Sequence, residues 1–249
     1  MRPSWNFAEM TSPGAAALGD AARAVVVLLP IGAVEAHGPH APLATDTIIS
    51  NAICRRAVEA LADDAAIRVA VLPALGYGVT TYAAGFPGTL GIAPATLEAL
   101  VTDICSCLRA QGLPHAVIVN SHLEPDHVAV LRRVADAAHV ALFDVTRRRL
   151  AERLGEEFRS GAGHAGRYET SLVLAEQPQL VDVERMAALP PLPLDMPAEI
   201  AAGKRDFRAL GMADAYCGAP AAASAQEGEA TFSTLTEMLI ALIRVTAVT

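Results

Sequence analysis

Aromatic side chains are scarce: they make up 4% of the 249 residues, with a single tryptophan, Trp5. Any substrate pocket in this chain therefore has few rings to stack against. Basic charge is also short. Nineteen Lys and Arg against 27 Asp and Glu leave a net charge of −8 and a pI near 5.3, which argues against nucleic acid or an anionic membrane as a partner. There are four cysteines, Cys54, Cys105, Cys107 and Cys217, and none forms a CxxC pair. A thiolate zinc site is not indicated; Cys54 and Cys105, in helical patterns, are expected as buried free thiols. The longest apolar stretch, 24–34, falls well short of the roughly 20 residues that span a bilayer. The opening MRPSWNFAEM lacks a basic-then-apolar leader pattern, and Asp20 and Arg23 interrupt the Ala-rich part that follows, so the expected location is the cytoplasm.

What is abundant is apolar content. Fifty-three per cent hydrophobic residues and a mean hydropathy of +0.35 suit a well-buried core and exclude a disordered chain. The length allows one large domain or two small ones, but no internal repeat and no linker is visible, so residues 1–249 are expected to form a single domain. Apolar runs at 25–31, 67–73, 115–119 and 140–145 have the length and β-branching of buried strands. Between them lie helical patterns: a short helix within 14–23, one starting near Thr47 with Thr45 or Asp46 as its cap, one over 94–112 opened by Pro94 and closed by Gly112, and one over 126–138. Residues 147–159 are charged and expected to be helical. A helix carrying Glu169 follows a Gly-rich loop, 189–197 is a Pro-rich surface excursion, and a final helix spans about 228–247. Strands alternating with helices predict an α/β fold, a three-layer domain with a mainly parallel β-sheet flanked by helices.

The polar residues collect at strand ends. Beyond the first strand come Glu35, His37, His40 and Asp46; beyond the third come His122 and Glu124. Open α/β sheets bind ligands at such ends. Glu35 and His37 are two apart, as are His122 and Glu124, a spacing that in extended backbone turns both side chains one way. Three carboxylates and two imidazoles exceed one tetrahedral zinc. They suit two divalent ions roughly 3.5–4 Å apart with a shared carboxylate, and N/O ligation without thiolate fits Zn first, with Mn or Fe(II) also compatible. Such a pair makes a bridging water nucleophilic and polarises a carbonyl, the chemistry of amide hydrolysis. Taken singly, each residue has a plainer reading. Glu35 and Asp46 could cap helices, the HGPH imidazoles could be hydrogen-bonded in a turn, and His127, His115 and His139 read as helix-surface residues. The Gly-rich segment LGYGVTTYAAGFPGT, with Gly78, suits a loop lining a pocket.

PIGAVEAHGPHAPLATDT at 30–47 resembles the signature of the creatininase (creatinine amidohydrolase) family. GFPGT at 85–89, GHAGRYETS at 163–171 and, loosely, GAPAAASAQEG at 218–228 resemble later segments of that family in the same order. The resemblance implies a creatininase-like fold and a dinuclear centre with Glu35, His37, Asp46, His122 and Glu124 as metal ligands, Asp46 bridging. It implies catalytic roles for His164, Glu124 and Glu169, with plain capping or salt bridging as the other reading of Glu169. It implies a substrate wall including Gly78, Leu123, Gly161 and His164, a small-molecule substrate and a homohexamer. The sequence also departs from creatininase proper: Gly163 stands at the general acid/base glutamate, Leu123 at a tyrosine, and the aromatic lid is missing. Creatinine is then not the expected substrate. A different amide, lactam, formamide or short peptide is, with a bridging hydroxide as nucleophile. The alternative is a non-hydrolytic descendant that keeps the metal for ligand binding or pathway assembly.

Overall fold

The computed structural model of the chain describes residues 5–19 and 23–248; residues 20–22 of the expected first helix lie outside them. Four strands form one sheet: β1 (Ala24–Ile31), β2 (Ile67–Val71), β3 (Ala116–Asn120) and β4 (Ala141–Phe143). Their order is β2-β1-β3-β4 and every pairing is parallel, with Val26 opposite Val69 and Leu29 opposite Ile118. Parallel neighbours need crossovers, and the chain supplies α2 (Thr45–Ala60), α3 (Pro94–Ala110) and α4 (Pro125–Ala138). Period-two alternation decides which face each strand residue serves. Val26, Leu28, Val117 and Val119 pack against α2, α7 (Arg167–Glu176) and α10 (Ala225–Thr246). Leu29, Ile31 and Ile118 point the other way, toward α3 and α4, and Val25, Val27 and Ala116 join α1 (Ser12–Gly19) there. The three layers expected from the sequence are therefore present.

Several boundaries differ. The segment 147–159 is not one helix but two single turns, α5 (Arg148–Ala151) and α6 (Glu156–Arg159). Gly155 interrupts them with an extended backbone and stands as N-cap of α6. The break lets Leu154 and Phe158 turn inward while Glu157 accepts hydrogen bonds from the backbone of Tyr168 and Ala219. The helix expected near Thr47 begins at Thr45, with Ala44 as N-cap and no side chain capping it. Asp46 is thus freed from capping and points elsewhere. The last helix starts three residues early because Ser224 accepts from the Glu227 N–H, half of a capping box. The Pro-rich 189–197 segment follows α8 (Val183–Ala188), is pinned by a bridge between Leu192 and Gly218, and leads into α9 (Met196–Ala201).

Helices α7 and α10 cross so closely at Gly228 that any Cβ there would overlap the Ser171 carbonyl, which is backbone and cannot rotate away. Gly228→Ala is expected to cost about 2–3 kcal/mol, as overpacking of a tight core does, read as a lower thermal midpoint. An unchanged midpoint would mean the helices have slack.

Candidate metal centre

The loop after β1, the first turn of α2, the loop after β3 and the first turn of α7 converge on one buried point. Glu35, His37, Asp46, His122 and Glu169 are all nearly inaccessible. Gly32 permits the approach: a Cβ there would press on the Asp46 backbone and the Thr47 N–H at 2.5–2.8 Å. His37 Nε2 lies 3.2 Å from Asp46 Oδ1 and 3.5 Å from Glu169 Oε2. His122 Nδ1 lies 3.0 Å from Asp46 Oδ2 and 3.2 Å from Glu35 Oε1. Among the described residues, three groups place their donor atoms within 4.8 Å of one another: Glu35, Asp46 and His122; His37, Asp46 and Glu169; and Glu35, His37 and His164. Asp46 belongs to the first two groups, one oxygen toward each histidine.

His37 Nε2 and Asp46 Oδ2 are buried without a well-aligned hydrogen bond despite their short distances to neighbours. Four ligands held tetrahedrally at about 2.0–2.1 Å lie about 3.3 Å apart, and the separations above cluster there.

The opposite ring nitrogens agree. Backbone carbonyls can only accept, so the nitrogen facing each must carry the proton. His37 Nδ1 faces Glu35 O at 3.1 Å, His122 Nε2 faces Val79 O at 2.7 Å, and His164 Nε2 faces Ala36 O at 2.9 Å. Each imidazole is anchored through one nitrogen and presents the other to the carboxylates, the outer support that metal-binding histidines use. The carboxylates are anchored too: Thr80 Oγ1 donates to Glu35 Oε2 at 2.5 Å, and the Ala165 N–H donates to Glu169 Oε2 at 2.7 Å. Ala165 holds a left-handed backbone, φ 50°, a strain that tends to collect at functional sites.

Electrostatics follow from the crowding. Burial pushes the Glu35 carboxyl up, but the adjacent His122 outweighs it and holds it at about 2. Asp46 is pushed up by burial and held below the usual range by His37 and His122. Burial works against a charged His37, yet Asp46 and then Glu169 raise it to about 10; His122 is raised in the same way by Glu35 and Asp46. Glu169 is carried to about 8 by burial, only partly opposed by His37, and burial lowers His164 to about 4. Glu35 and Asp46 on one side and His37 and His122 on the other thus each favour the charged form of the other.

The expected site residues do not all meet here. Glu124 is in none of the three groups: its Oε1 and Oε2 accept the N–H groups of Thr81 and Tyr82 at 2.9 and 3.2 Å. Glu169, expected beside the site, contributes an oxygen to it. Gly78 is not part of the cleft wall; a Cβ there would strike the His127 ring at 2.8 Å and crowd the Gly32 carbonyl. Leu123, Gly161, Gly163 and His164 do line a cleft of about 700 Å3 that opens onto Glu35, Asp46 and Glu169. Three rings, Tyr82, Phe158 and Phe207, reach it despite the aromatic scarcity. His164 is stacked between His37 and Phe207, each at 4.4 Å.

His127, expected on a helix surface, is wholly buried. Its Nδ1 accepts the Val79 N–H at 3.2 Å and its Nε2 faces Asn120 Oδ1 at 3.0 Å, while its ring packs edge-on against His122 at 4.7 Å. The signal was present in the sequence, because His127, Leu131 and Val134 form one i, i+4, i+7 stripe on α4. His40, the second imidazole of HGPH, does what the plainer reading expected and bonds Thr170 Oγ1 at 2.8 Å.

A sequence model of the creatininase family, described as creatinine amidohydrolase, matches residues 8–243. The chain is 33% identical over 210 residues to a mycofactocin precursor peptide peptidase of Mycolicibacterium smegmatis, covering 84% of this chain and 80% of that one. It is 33% identical over 192 residues to a creatinine amidohydrolase of Pseudomonas putida, covering 69% and 72%. A solved structure titled as a manganese creatininase superposes with a TM-score of 0.74 at 25% identity, covering 97% of this chain and 98% of that one.

Proposed function

Because this chain belongs to the creatininase family of hydrolases, we propose that it is a dinuclear metal amidohydrolase that cleaves a C–N bond in an amide, lactam, formamide or short peptide. The observation that carries this reading is the division of Asp46, whose Oδ1 faces His37 and whose Oδ2 faces His122. One ion would be held by Glu35, Asp46 and His122, the other by His37, Asp46 and Glu169, with Zn favoured and Mn or Fe(II) compatible. Bound there, the ions would supply a nucleophile from water and a Lewis acid for the substrate carbonyl. Glu124 is assigned to the cleft wall, where its hydrogen bonds fix the 79–82 loop against the site.

The chain's own residues then handle the proton. His164 Nε2 is committed to the Ala36 carbonyl, so Nδ1, 3.7 Å from Glu35 Oε1, is the free base. It takes a proton from the attacking water and returns it to the leaving nitrogen. His164→Gln is expected to lower kcat on the order of 100-fold while the bound metal is unchanged. Equal turnover in the variant would remove His164 from this role.

Creatinine is set aside as substrate because Gly163 stands where creatininase carries its acid/base glutamate. Nothing steric requires the glycine: the nearest atoms to a Cβ there are those of Phe158 at 3.7 Å. The same residue favours the second reading, a metal-binding protein without hydrolytic activity. The test is chelation, stepwise return of Zn or Mn, and assay against formamides, lactams and short peptides. Hydrolysis that returns with metal supports the first reading; bound metal with no turnover on any of them supports the second. Free cysteines, three of them buried, support a reducing, cytoplasmic setting, and none of the described helices is long and apolar enough to cross a membrane.

A further inference from the structure

The cleft lining mixes three kinds of group. It includes the buried carboxylates Glu35, Asp46 and Glu169, the half-buried Arg132 and the exposed Arg159. It also includes the apolar Leu123, Val128, Met196 and Ile200. About 700 Å3 is the size of site that encloses a ligand of several linked groups rather than one small ring.

The two arginines are not equivalent. Arg132 is committed: its Nε and Nη2 hold Asp144 Oδ2 at 2.9 and 2.6 Å, and Nη2 also donates to Thr146. Arg147, Arg148 and Arg153, from the same stretch of chain, pair with Asp144, Glu152 and Glu237. The Arg159 guanidinium, by contrast, has no hydrogen bond or ion pair among the described residues, and it is exposed on the cleft wall. Asp195, which meets the chain at Gly161, accepts a hydrogen bond from the Ala198 N–H on its Oδ1 at the start of α9. In a chain of net charge −8, an uncommitted cation on the wall of a cleft is a local attractor for anions, and its planar fork fits a carboxylate with two parallel hydrogen bonds.

We infer that the substrate is an extended, peptide-like amide ending in a carboxylate, and that Arg159 is the receptor for that carboxylate. The scissile carbonyl lies at the buried carboxylates, an apolar side chain lies along Leu123, Val128, Met196 and Ile200, and the anionic end reaches the guanidinium. The inference rests on those carboxylates holding the metal centre proposed above.

A pair of hydroxamates separates the two ideas. Both carry a metal-chelating hydroxamate and an isobutyl side chain; one ends in a free carboxylate, the other in a carboxamide. Their affinities are measured by calorimetry on zinc-loaded protein. The carboxylate probe is expected to bind on the order of tenfold tighter, the scale of one charge-assisted hydrogen-bonded pair discounted for exposure. That ratio is expected to fall to about one in Arg159→Ala and in Arg159→Gln, and to be partly kept in Arg159→Lys. The carboxamide probe reports in each variant whether the metal centre is intact. Equal affinities in the unaltered protein, or a preference that survives both Arg159→Ala and Arg159→Gln, would overturn the receptor assignment while leaving the metal centre standing. Failure of both probes to bind the unaltered protein would overturn the metal centre and the inference with it.

Discussion

Asp46→Asn is expected to abolish binding of both ions and to lower hydrolysis on the order of 1,000-fold or more. Loss of an outer support alone costs roughly 10- to 100-fold in metal affinity, and Asp46 is shared by two of the three groups of candidate ligands among the described residues. The amide is nearly the same shape as the carboxylate, so the variant tests charge rather than packing. It also leaves His37 and His122 facing a neutral group, which removes much of what raises their proton affinity. Elemental analysis after dialysis is the readout. The companion variants divide the account more finely. Glu169→Gln is expected to strip one ion and keep the other, whereas Glu124→Gln is expected to keep both, because both Glu124 oxygens are turned to the Thr81 and Tyr82 N–H groups. The reverse pattern would return Glu124 to the ligand set that the family resemblance gives it.

Chelator-treated protein is expected to lose stability as pH rises from about 4.5 to 10. The sign comes from three groups. His37 has a folded pKa of about 10 against 6.5, so folding favours its charged form. That contribution is complete below pH 6.5 and is lost as pH climbs through 10. Glu169, raised from 4.5 to about 8, acts in the same direction: folding favours its neutral form, and the advantage disappears as pH rises toward 8. Glu35 is lowered from 4.5 to about 2, so its contribution is present above 4.5 and lost as pH falls through 2. These three groups put the maximum near pH 4.5, and His164, lowered by burial from 6.5 to about 4, loses its contribution as pH falls through that window and moves the maximum toward roughly pH 5–6. Metal reverses the trend on the alkaline side, since histidines ligate only when the metal-facing nitrogen is deprotonated. Thermal melts with chelator and with two equivalents of zinc should diverge by roughly 10 °C between pH 6 and 9. A constant gap would mean that the ions and the protons do not compete for the same nitrogens.

The strands were legible because β-branched runs such as 25–31 have the length and composition of buried strands, and parallel pairing followed from the helices between them. The broken helix at 148–159 was not legible, since Gly155 alone does not announce that Glu157 will turn back to hold the Tyr168 and Ala219 backbone. Within the site, Glu35, His37, Asp46 and His122 were visible as a cluster at two strand ends. Glu169 was harder to place because nothing local distinguishes a carboxylate in the first turn of a helix that caps from one that reaches a centre; the contact with His37 at 3.5 Å is tertiary. Glu124 lies outside the three groups for the opposite reason. Its His-x-Glu spacing suggested a shared direction, but His122 is drawn to the Val79 carbonyl while Glu124, at the N-cap of α4, meets the loop N–H groups instead. His127 was hidden by its polarity, although its place in the apolar stripe of α4 was readable.

Crystallographic anomalous scattering at the metal edges, on protein purified without chelator, addresses the shared role of Asp46 most directly. Two peaks are expected roughly 3.5–4 Å apart, one against Glu35, Asp46 and His122 and the other against His37, Asp46 and Glu169. No peak at Asp46, or a single peak touching only one of its oxygens, would contradict the account.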